Sequence, residues 1–331
     1  MKKIVNAPEN VVNDMLEGLV AANPDKLELI PDKRIILRKN KKEAGKVAVI
    51  TGSGSGHEPD QVFYVGSGMM DAACAGPVFA APTADAIYEA AKAVDTGAGV
   101  LFMVKNYTGD RGQFGMAAEM CEIDNIQVKV VIADDDVAVK DSTFTAGRRG
   151  VAGAILGYKI VCAKAELGAS LDELVELANR VNDNVRSMGF ALTSCTTPAK
   201  GTPTFELGED EMEIGVGLHG EPGRQRTKMQ TADEIVSYIT TQCLEDLPFK
   251  SGDEVVVMVN GLGGTPLMEL YIAYNKVAKM LKEAGIKVFK SYVNEYCTSI
   301  DMAGCSVSLL KVDDEMKKLL EYPVDIPYSV F

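Results

Sequence analysis

Short β-branched apolar runs alternate with longer stretches of helical spacing along most of the chain. Val47-Ala48-Val49-Ile50, Val100-Leu101-Phe102-Met103-Val104 and residues 128–132 have the length and the valine and isoleucine content of buried strands. Between them, residues 11–21, 84–94 and 114–121 carry apolar side chains at helical intervals, as at Val11, Val12, Met15, Leu16 and Leu19. Strands interleaved with helices predict βαβ units and a doubly wound, mostly buried sheet in the first half. Two consecutive helical patterns follow at 150–165 and 171–188. Ser170, with Glu173 three residues on, predicts a capping box at the start of the second.

After Gly189 the texture changes to a Ser/Thr/Pro-rich stretch at 193–204, followed by a strand-like run at 213–218. A second series then predicts strands at 255–259, 286–293 and 306–312 and a helix at 267–284. The expected architecture is α/β, with two α/β domains, each a central sheet flanked by helices: residues 1–188 and residues 189–331. The tail at 322–331, with Pro323 and Pro327, is expected to be extended and laid against a domain surface.

Composition narrows the class. A chain of 331 residues that is 47% hydrophobic, 24% charged and holds 31 glycines is a folded globular chain, not a disordered or collagen-like one. Lys+Arg total 34 against 47 Asp+Glu, a net charge of 34 − 47 = −13, and the densest basic stretch, Arg38-Lys39-Asn40-Lys41-Lys42, is closed by Glu43. Nucleic acid is therefore not an expected partner. Seven cysteines, widely spaced and without a Cys-x-x-Cys pair, read as buried thiols rather than a disulfide or zinc framework, and no metal site is expected. Charges at Glu9, Asp14 and Glu17 interrupt the N-terminal segment, and no apolar run approaches the roughly 18 residues of a membrane span. A cytoplasmic location is expected.

The chain has two histidines, and both lie in glycine-rich loops after strand-like runs: Thr51-Gly52-Ser53-Gly54-Ser55-Gly56-His57-Glu58-Pro59 and Gly215-Val216-Gly217-Leu218-His219-Gly220-Glu221-Pro222-Gly223. Such loops are where α/β folds place ligands. Gly52, Gly54 and Gly56 are candidates to present backbone N–H groups to one oxygen beside the imidazole. The first loop fails the P-loop pattern, since His57 stands where a lysine is wanted, and it fails the Gly-x-Gly-x-x-Gly spacing; Asn260 to Pro266 fails likewise and reads as a tight strand-to-helix turn. No nucleotide site is expected on this chain. Lys105-Asn106-Tyr107-Thr108-Gly109-Asp110 lies at another strand end, where Asp110 either assists an imidazole, caps the helix that holds Phe114 or simply faces water. Asp134-Asp135-Asp136 reads as a charged strand-end turn rather than a metal cluster. Arg148-Arg149 open a helical pattern where the dipole disfavours cations, which points to an ion pair or a partner contact. These residues point to capture of a small polar carbonyl compound, with His219 as nucleophile and His57 and Asp110 carrying protons.

Five segments resemble one family in order: Gly54-Ser55-Gly56-His57-Glu58-Pro59, Lys105 to Asp110, Gly147-Arg148-Arg149-Gly150-Val151-Ala152-Gly153, Gly217 to Gly223, and Asp301-Met302-Ala303-Gly304. The chain resembles the dihydroxyacetone kinase K subunit of the phosphotransferase-dependent type, from about Asn6 to its end. That resemblance implies a homodimer that binds dihydroxyacetone as a covalent hemiaminal on His219. It also implies catalysis by His57 and Asp110, and a substrate site of Gly54, Ser55, Gly56, Lys105, Asp110 and His219. No cofactor would be bound by this chain. Mg-ADP or Mg-ATP would sit on a separate L subunit, recharged by a phosphohistidine M subunit, so the enzyme acts only with its partners.

Departures from the family pattern fall on the pocket wall. The usual Gly-Gly-Gly-Ser-Gly-His-Glu-Pro becomes Gly52-Ser53-Gly54 at its start, and the usual Ala-His-Ala-Gly-Phe-Val-Gly becomes Asp60-Gln61-Val62-Phe63-Tyr64-Val65-Gly66. Phe-Thr-Ser-Pro becomes Phe79-Ala80-Ala81-Pro82, and Asp-Val-Met-Asn-Phe-Glu becomes Asp110-Arg111-Gly112-Gln113-Phe114-Gly115. A lost serine hydroxyl at Ala81 removes one neutral hydrogen bond, worth about 0.5–1.5 kcal/mol. The pattern reads as a divergent paralogue. The alternatives to a dihydroxyacetone kinase subunit are a subunit for a related ketose such as erythrulose, and a ligand-binding coactivator paired with a transcription regulator.

Overall fold

The computed structural model describes residues 2–328. The first unit holds α1 (Val11–Ala22), β1 (Leu27–Ile30), β2 (Ile35–Arg38), β3 (Ala48–Ser55), β4 (Ala72–Val78), α2 (Ala84–Val94), β5 (Val100–Lys105), α3 (Thr108–Ile123), β6 (Val128–Ala133), α4 (Ala154–Glu166) and α5 (Leu171–Asn184). Its six-stranded sheet runs β1-β2-β4-β3-β5-β6. Strands β4, β3, β5 and β6 are parallel, while β1 and β2 join as an antiparallel edge.

The second unit contains β7 (Val185–Ala191), β8 (Glu211–Ile214), β9 (Gln225–Lys228), α6 (Ala232–Asp246), β10 (Glu254–Gly261), α7 (Leu267–Glu283), β11 (Lys287–Asn294), β12 (Gly304–Lys311) and α8 (Asp314–Leu320). Its sheet runs β11-β10-β12-β7-β8-β9, antiparallel except for the β10/β11 pair.

The two-residue period of a strand decides the layering. In β10, Val255, Val257 and Val259 pack under α6 and α7, while Val256 and Met258 face the other way. In the first sheet, Ile50 and Phe102 face α2 and α3, while Val49 and Leu101 turn to the same inner layer as Val256 and Met258. That inner layer is built from α1, α4, α5 and α8, and both sheets bury a face against it. Helix α4 shows the consequence: every residue from Ala154 to Glu166 is buried except Lys164 and Glu166. A helix apolar all round belongs in the centre of a molecule.

The differences from the sequence pattern have local causes. The second helix of the central pair carries its capping box, Ser170 with Glu173, but stops at Asn184; Val185 onward pairs antiparallel with β12, and pairing overrides the helical spacing that reached Met188. Helix α3 starts at Thr108, which puts Asp110 in its first turn. Helix α6 lies outside the elements that the apolar pattern predicts, although Thr231 and Glu234 form the same capping box. Strands β1, β2 and β9 are four residues each, and β4 is built of small residues, so none carries a strong period.

The charged motifs are absorbed structurally. Asp135 accepts the amides of Val151 and Gly153, each at 2.9 Å, ahead of α4. Helix α4 begins only at Ala154, so Arg149 does not meet its dipole; it is wholly buried and pairs with Asp136 at 2.7 Å. Arg148 pairs with Asp246. All seven cysteines are unpaired and buried. No helix among the described residues is long and apolar enough to cross a membrane. The tail lies against the first unit, where the Asp325 amide donates to the Ser67 carbonyl at 2.9 Å; residues 329–331 are outside the described residues.

Leu156, fully buried in α4, tests the shared inner layer. Leu156→Ala is expected to lower the unfolding free energy by about 2–5 kcal/mol in urea denaturation, with one cooperative transition for both units. Separate transitions for the two units would contradict a common core.

Candidate active site

Strand β3 ends at Ser55 and delivers His57 to the seam between the two units. The carbonyls of Gly56 and His57 accept the amides of Ile300 (2.8 Å) and Thr298 (3.1 Å) from the second unit, which ties the histidine loop across that seam. The glycines before His57 act differently from the expectation that they present amides to a ligand. Gly52 and Gly54 lie inside β3, paired with β4, and the missing side chain admits a neighbour: a Cβ at Gly54 would lie 2.5 Å from the Ala80 nitrogen.

His219 comes from the loop after β8, and its Nε2 lies 3.1 Å from Nε2 of His57. The other nitrogens of the two rings face fixed acceptors. His57 Nδ1 is 2.7 Å from the Thr298 carbonyl, and His219 Nδ1 is 3.0 Å from Glu221 Oε1. Glu221 Oε2 also accepts the His219 amide at 2.9 Å, so one carboxylate holds both ring and backbone. Gly217 makes this possible, because a Cβ there would lie 2.0 Å from Glu221 Oε2 and 2.7 Å from Arg149 Nη1.

Aromatic rings enclose the pair. Phe79 stacks on His57 at 5.0 Å between centroids, and Tyr107, Phe79 and Phe144 meet His219 edge-on at 4.8, 5.1 and 6.4 Å. In front of His219 lies a cavity of about 670 Å³ whose wall includes Ser53, Gly54, Ala80, Ala81, Asp110 and Glu221. Asp110 accepts a hydrogen bond from the Ser53 hydroxyl at 2.9 Å.

Not every candidate reaches this cavity. Lys105 is buried and its ammonium pairs with Asp60, with the Cys297 sulfur at 3.7 Å. Ser55 donates to the Gly76 carbonyl at 2.8 Å, and the Gly56 amide donates to Glu58 at 2.9 Å. Ser55 and Gly56 border a separate cavity of about 320 Å³, beside Val12, Met15 and Phe63. Gly54, Asp110 and His219 are brought together on one wall, with His57 directly behind. Ser53, Tyr107, Phe144 and Glu221 complete the site without having been singled out from sequence.

Burial, with smaller contributions from His219 and Lys105, pushes the His57 imidazole well below the usual range, so it is neutral on its own near pH 7. Burial also raises Asp110, to about 6, against the opposing pull of Ser53, His219 and Lys105. Glu221 is penalised by burial too, but the His219 contact and the Arg149 charge outweigh that and hold it below the ordinary carboxylate range. The arrangement offers a nucleophilic imidazole nitrogen, a neutral imidazole touching it, and a carboxylate poised near neutrality on the wall of one cavity.

The profile of the Dak1 domain matches residues 17–328. The chain is 49% identical over 326 residues to the dihydroxyacetone-binding subunit of a PTS-dependent dihydroxyacetone kinase from Listeria innocua, covering 98% of this chain and 99% of that one. It is 44% identical to the dihydroxyacetone-binding subunit of the PEP-dependent dihydroxyacetone kinase of Escherichia coli, covering 99% and 98%. Two solved structures superpose closely. The dihydroxyacetone kinase of C. freundii gives a TM-score of 0.91 at 33% identity, over 99% of this chain and 60% of that one. A dihydroxyacetone kinase operon co-activator gives 0.89 at 35% identity, over 94% and 96%.

Asp110 has a stability signature. Its carboxyl binds a proton more tightly in the fold than in the unfolded chain, so stability is lost as the pH rises through about 6. Asp110→Asn removes that cost and is expected to be more stable than the parent at about pH 8 by on the order of 1–3 kcal/mol, the gap closing towards about pH 4. Denaturation curves at both pH values check the sign.

Proposed function

The chain belongs to the Dak1 domain family, and from that premise we propose that it is the dihydroxyacetone-binding subunit of a dihydroxyacetone kinase. The observation that carries the reading is the contact of the two imidazoles, 3.1 Å apart, on the wall that Asp110 shares. In this reading His219 Nε2 adds to the ketone carbon and holds the substrate as a hemiaminal, while the aromatic rings around it exclude water. Asp110, ionised above about pH 6, accepts the proton of the hydroxyl that attacks phosphorus, with His57 as its acid/base partner.

The phosphoryl donor in this reading is a nucleotide held with magnesium on a separate L-type subunit, recharged through a phosphohistidine M-type subunit. The chain itself is a homodimer in the cytoplasm and binds no cofactor. Lys105 acts on the site through the field it exerts on His57, because its ammonium is turned to Asp60. The wall at Ala80 and Ala81 supplies no side-chain hydroxyl, and Ser53 is engaged by Asp110, so further hydroxyls of a longer ketose such as erythrulose would have to find partners elsewhere on the lining, among Thr143, Thr197, Lys200 and Thr204. A second reading, a ligand-binding coactivator, is favoured by the close superposition on the solved operon co-activator.

Phosphoryl transfer to dihydroxyacetone and erythrulose, with an L-type subunit, magnesium and a donor system, decides between them. His219→Ala is expected to abolish both covalent capture, followed by NMR of carbonyl-labelled ketose, and transfer. Asp110→Asn is expected to keep capture and lose on the order of 10²–10⁴-fold in transfer. Capture without any transfer in the parent chain would favour the coactivator, and undiminished capture in His219→Ala would remove the assigned nucleophile.

A further inference from the structure

The cavity of about 320 Å³ beside the His57 loop is separate from the one that His219 faces, and no step of the reaction uses it. Its volume is at the lower end of what small-molecule sites occupy. Helix α1 supplies Val12 and Met15 to its wall, Phe63 and Val78 continue the apolar surface, and the second unit closes it with Ile300 and Thr298. The histidine loop contributes Ser55, Gly56 and Glu58, so residues on both sides of His57 line the cavity.

The polar groups of this wall are unevenly matched. Its two hydroxyls give their protons to main-chain carbonyls, Ser55 to Gly76 at 2.8 Å and Thr298 to Glu58 at 2.8 Å. What is left is acceptor capacity on two carboxylates, Glu58 and Glu295. Glu58 accepts the Gly56 amide at 2.9 Å. Among the described residues no cation acts on either carboxylate, and burial pushes both above their usual range. Lys3, on the segment that leads into α1, is taken by Asp301 at 2.5 Å. Elsewhere the fold gives buried carboxylates a cation of its own: Asp71 has Arg38 and Lys42, Asp136 has Arg149, and Asp60 has Lys105. Glu58 and Glu295 have an apolar cavity in front of them instead.

We infer that this cavity is a binding site for a small organic cation, a primary ammonium group on a short apolar chain. The ammonium brings the donors and the charge that the wall lacks and lies against Glu58 and Glu295, while the apolar chain covers Val12, Met15, Phe63 and Ile300. The two carboxylates repel an anion, and the apolar wall leaves the hydroxyls of a polyol without partners. The occupant bears on the segments that fix His57. The Ile300 amide donates to the Gly56 carbonyl at 2.8 Å, the Thr298 amide to the His57 carbonyl at 3.1 Å, and the Thr298 carbonyl faces His57 Nδ1 at 2.7 Å. A ligand here touches the loop that positions His57 without entering the cavity in front of His219.

The site stands apart from the reaction, so its test needs no turnover. Calorimetric titration of the full chain with n-hexylammonium, hexanol and hexanoate separates charge from apolar burial. The ammonium is expected to bind with a dissociation constant of about 1 mM or tighter, hexanol roughly tenfold more weakly, and hexanoate not at all. Glu295→Gln, half-buried and outside the histidine contacts, is expected to weaken the ammonium roughly tenfold, and Glu58→Gln to do the same where it folds. His219→Ala is expected to leave the affinity unchanged. A nitrogen-labelled histidine sample reports only His57 and His219, and saturating hexylammonium is expected to move the His57 resonances more than those of His219. No ammonium binding at about 10 mM, equal affinity for hexanol, or unchanged affinity in Glu295→Gln overturns the assignment. Loss of binding in a folded His219→Ala also overturns it, by placing the amine in the other cavity.

Discussion

Two imidazoles from different six-stranded sheets meet nitrogen to nitrogen at 3.1 Å, and the rest of the structure serves to hold that contact. Neither ring reaches the other from within its own sheet. His57 is fixed by carbonyl and amide exchange with residues 298–300 of the second unit, and His219 by a carboxylate two residues along its own loop. A contact between two chain segments 162 residues apart is only as constant as the seam that brings them together. The shared helical layer answers this need, since α4 and α5 bury a face of both sheets and give the seam the packing of a core rather than of a hinge.

The seam is also electrostatically expensive. Asp110, His57, Glu221, Arg149 and the Lys105–Asp60 pair are all buried within or beside it. Burial of such groups persists in folds when each is paired or hydrogen-bonded, or when its altered protonation is put to use. Arg149, Asp136, Lys105 and Asp60 belong to the first kind. Asp110 and His57 belong to the second: one is raised towards neutrality and the other depressed below it, so a base and a neutral imidazole are available at the same pH.

Much of this was legible in the sequence, and what was not has identifiable causes. Glycine-flanked histidines after apolar runs marked both loops, and the Ser170–Glu173 capping box placed α5. Strong strand and helix periods located β3, β5, β10 and α7 to within a few residues. The role of Glu221 was invisible because it depends on a turn around Gly217 that lets the carboxylate fold back on its own histidine. The direction of Lys105 was equally hidden, since it is set by Asp60, 45 residues earlier and replacing what the family usually has there. Strand β7 differs for another reason: Val181, Val185 and Met188 satisfy a helical spacing, and only pairing with β12 makes the last two part of a strand.

Arg149 shows how the two problems, holding the seam and tuning the chemistry, share one solution. It leaves the first unit just ahead of α4, takes Asp136 of the same unit as its anchor, and reaches the Gly215 carbonyl and the Glu221 turn of the second. A hydrophobic residue of equal volume would pack the seam as well, since buried ion pairs often contribute little net stability. It would, however, leave Glu221 with burial unopposed on that side, and a carboxylate without a cation nearby drifts towards its neutral form. A protonated Glu221 could no longer act as acceptor for both the His219 amide and the His219 ring. The buried guanidinium is therefore better understood as fixing a charge state than as adding stability, and the same reasoning explains why so polar a junction sits at the centre of an otherwise apolar interface.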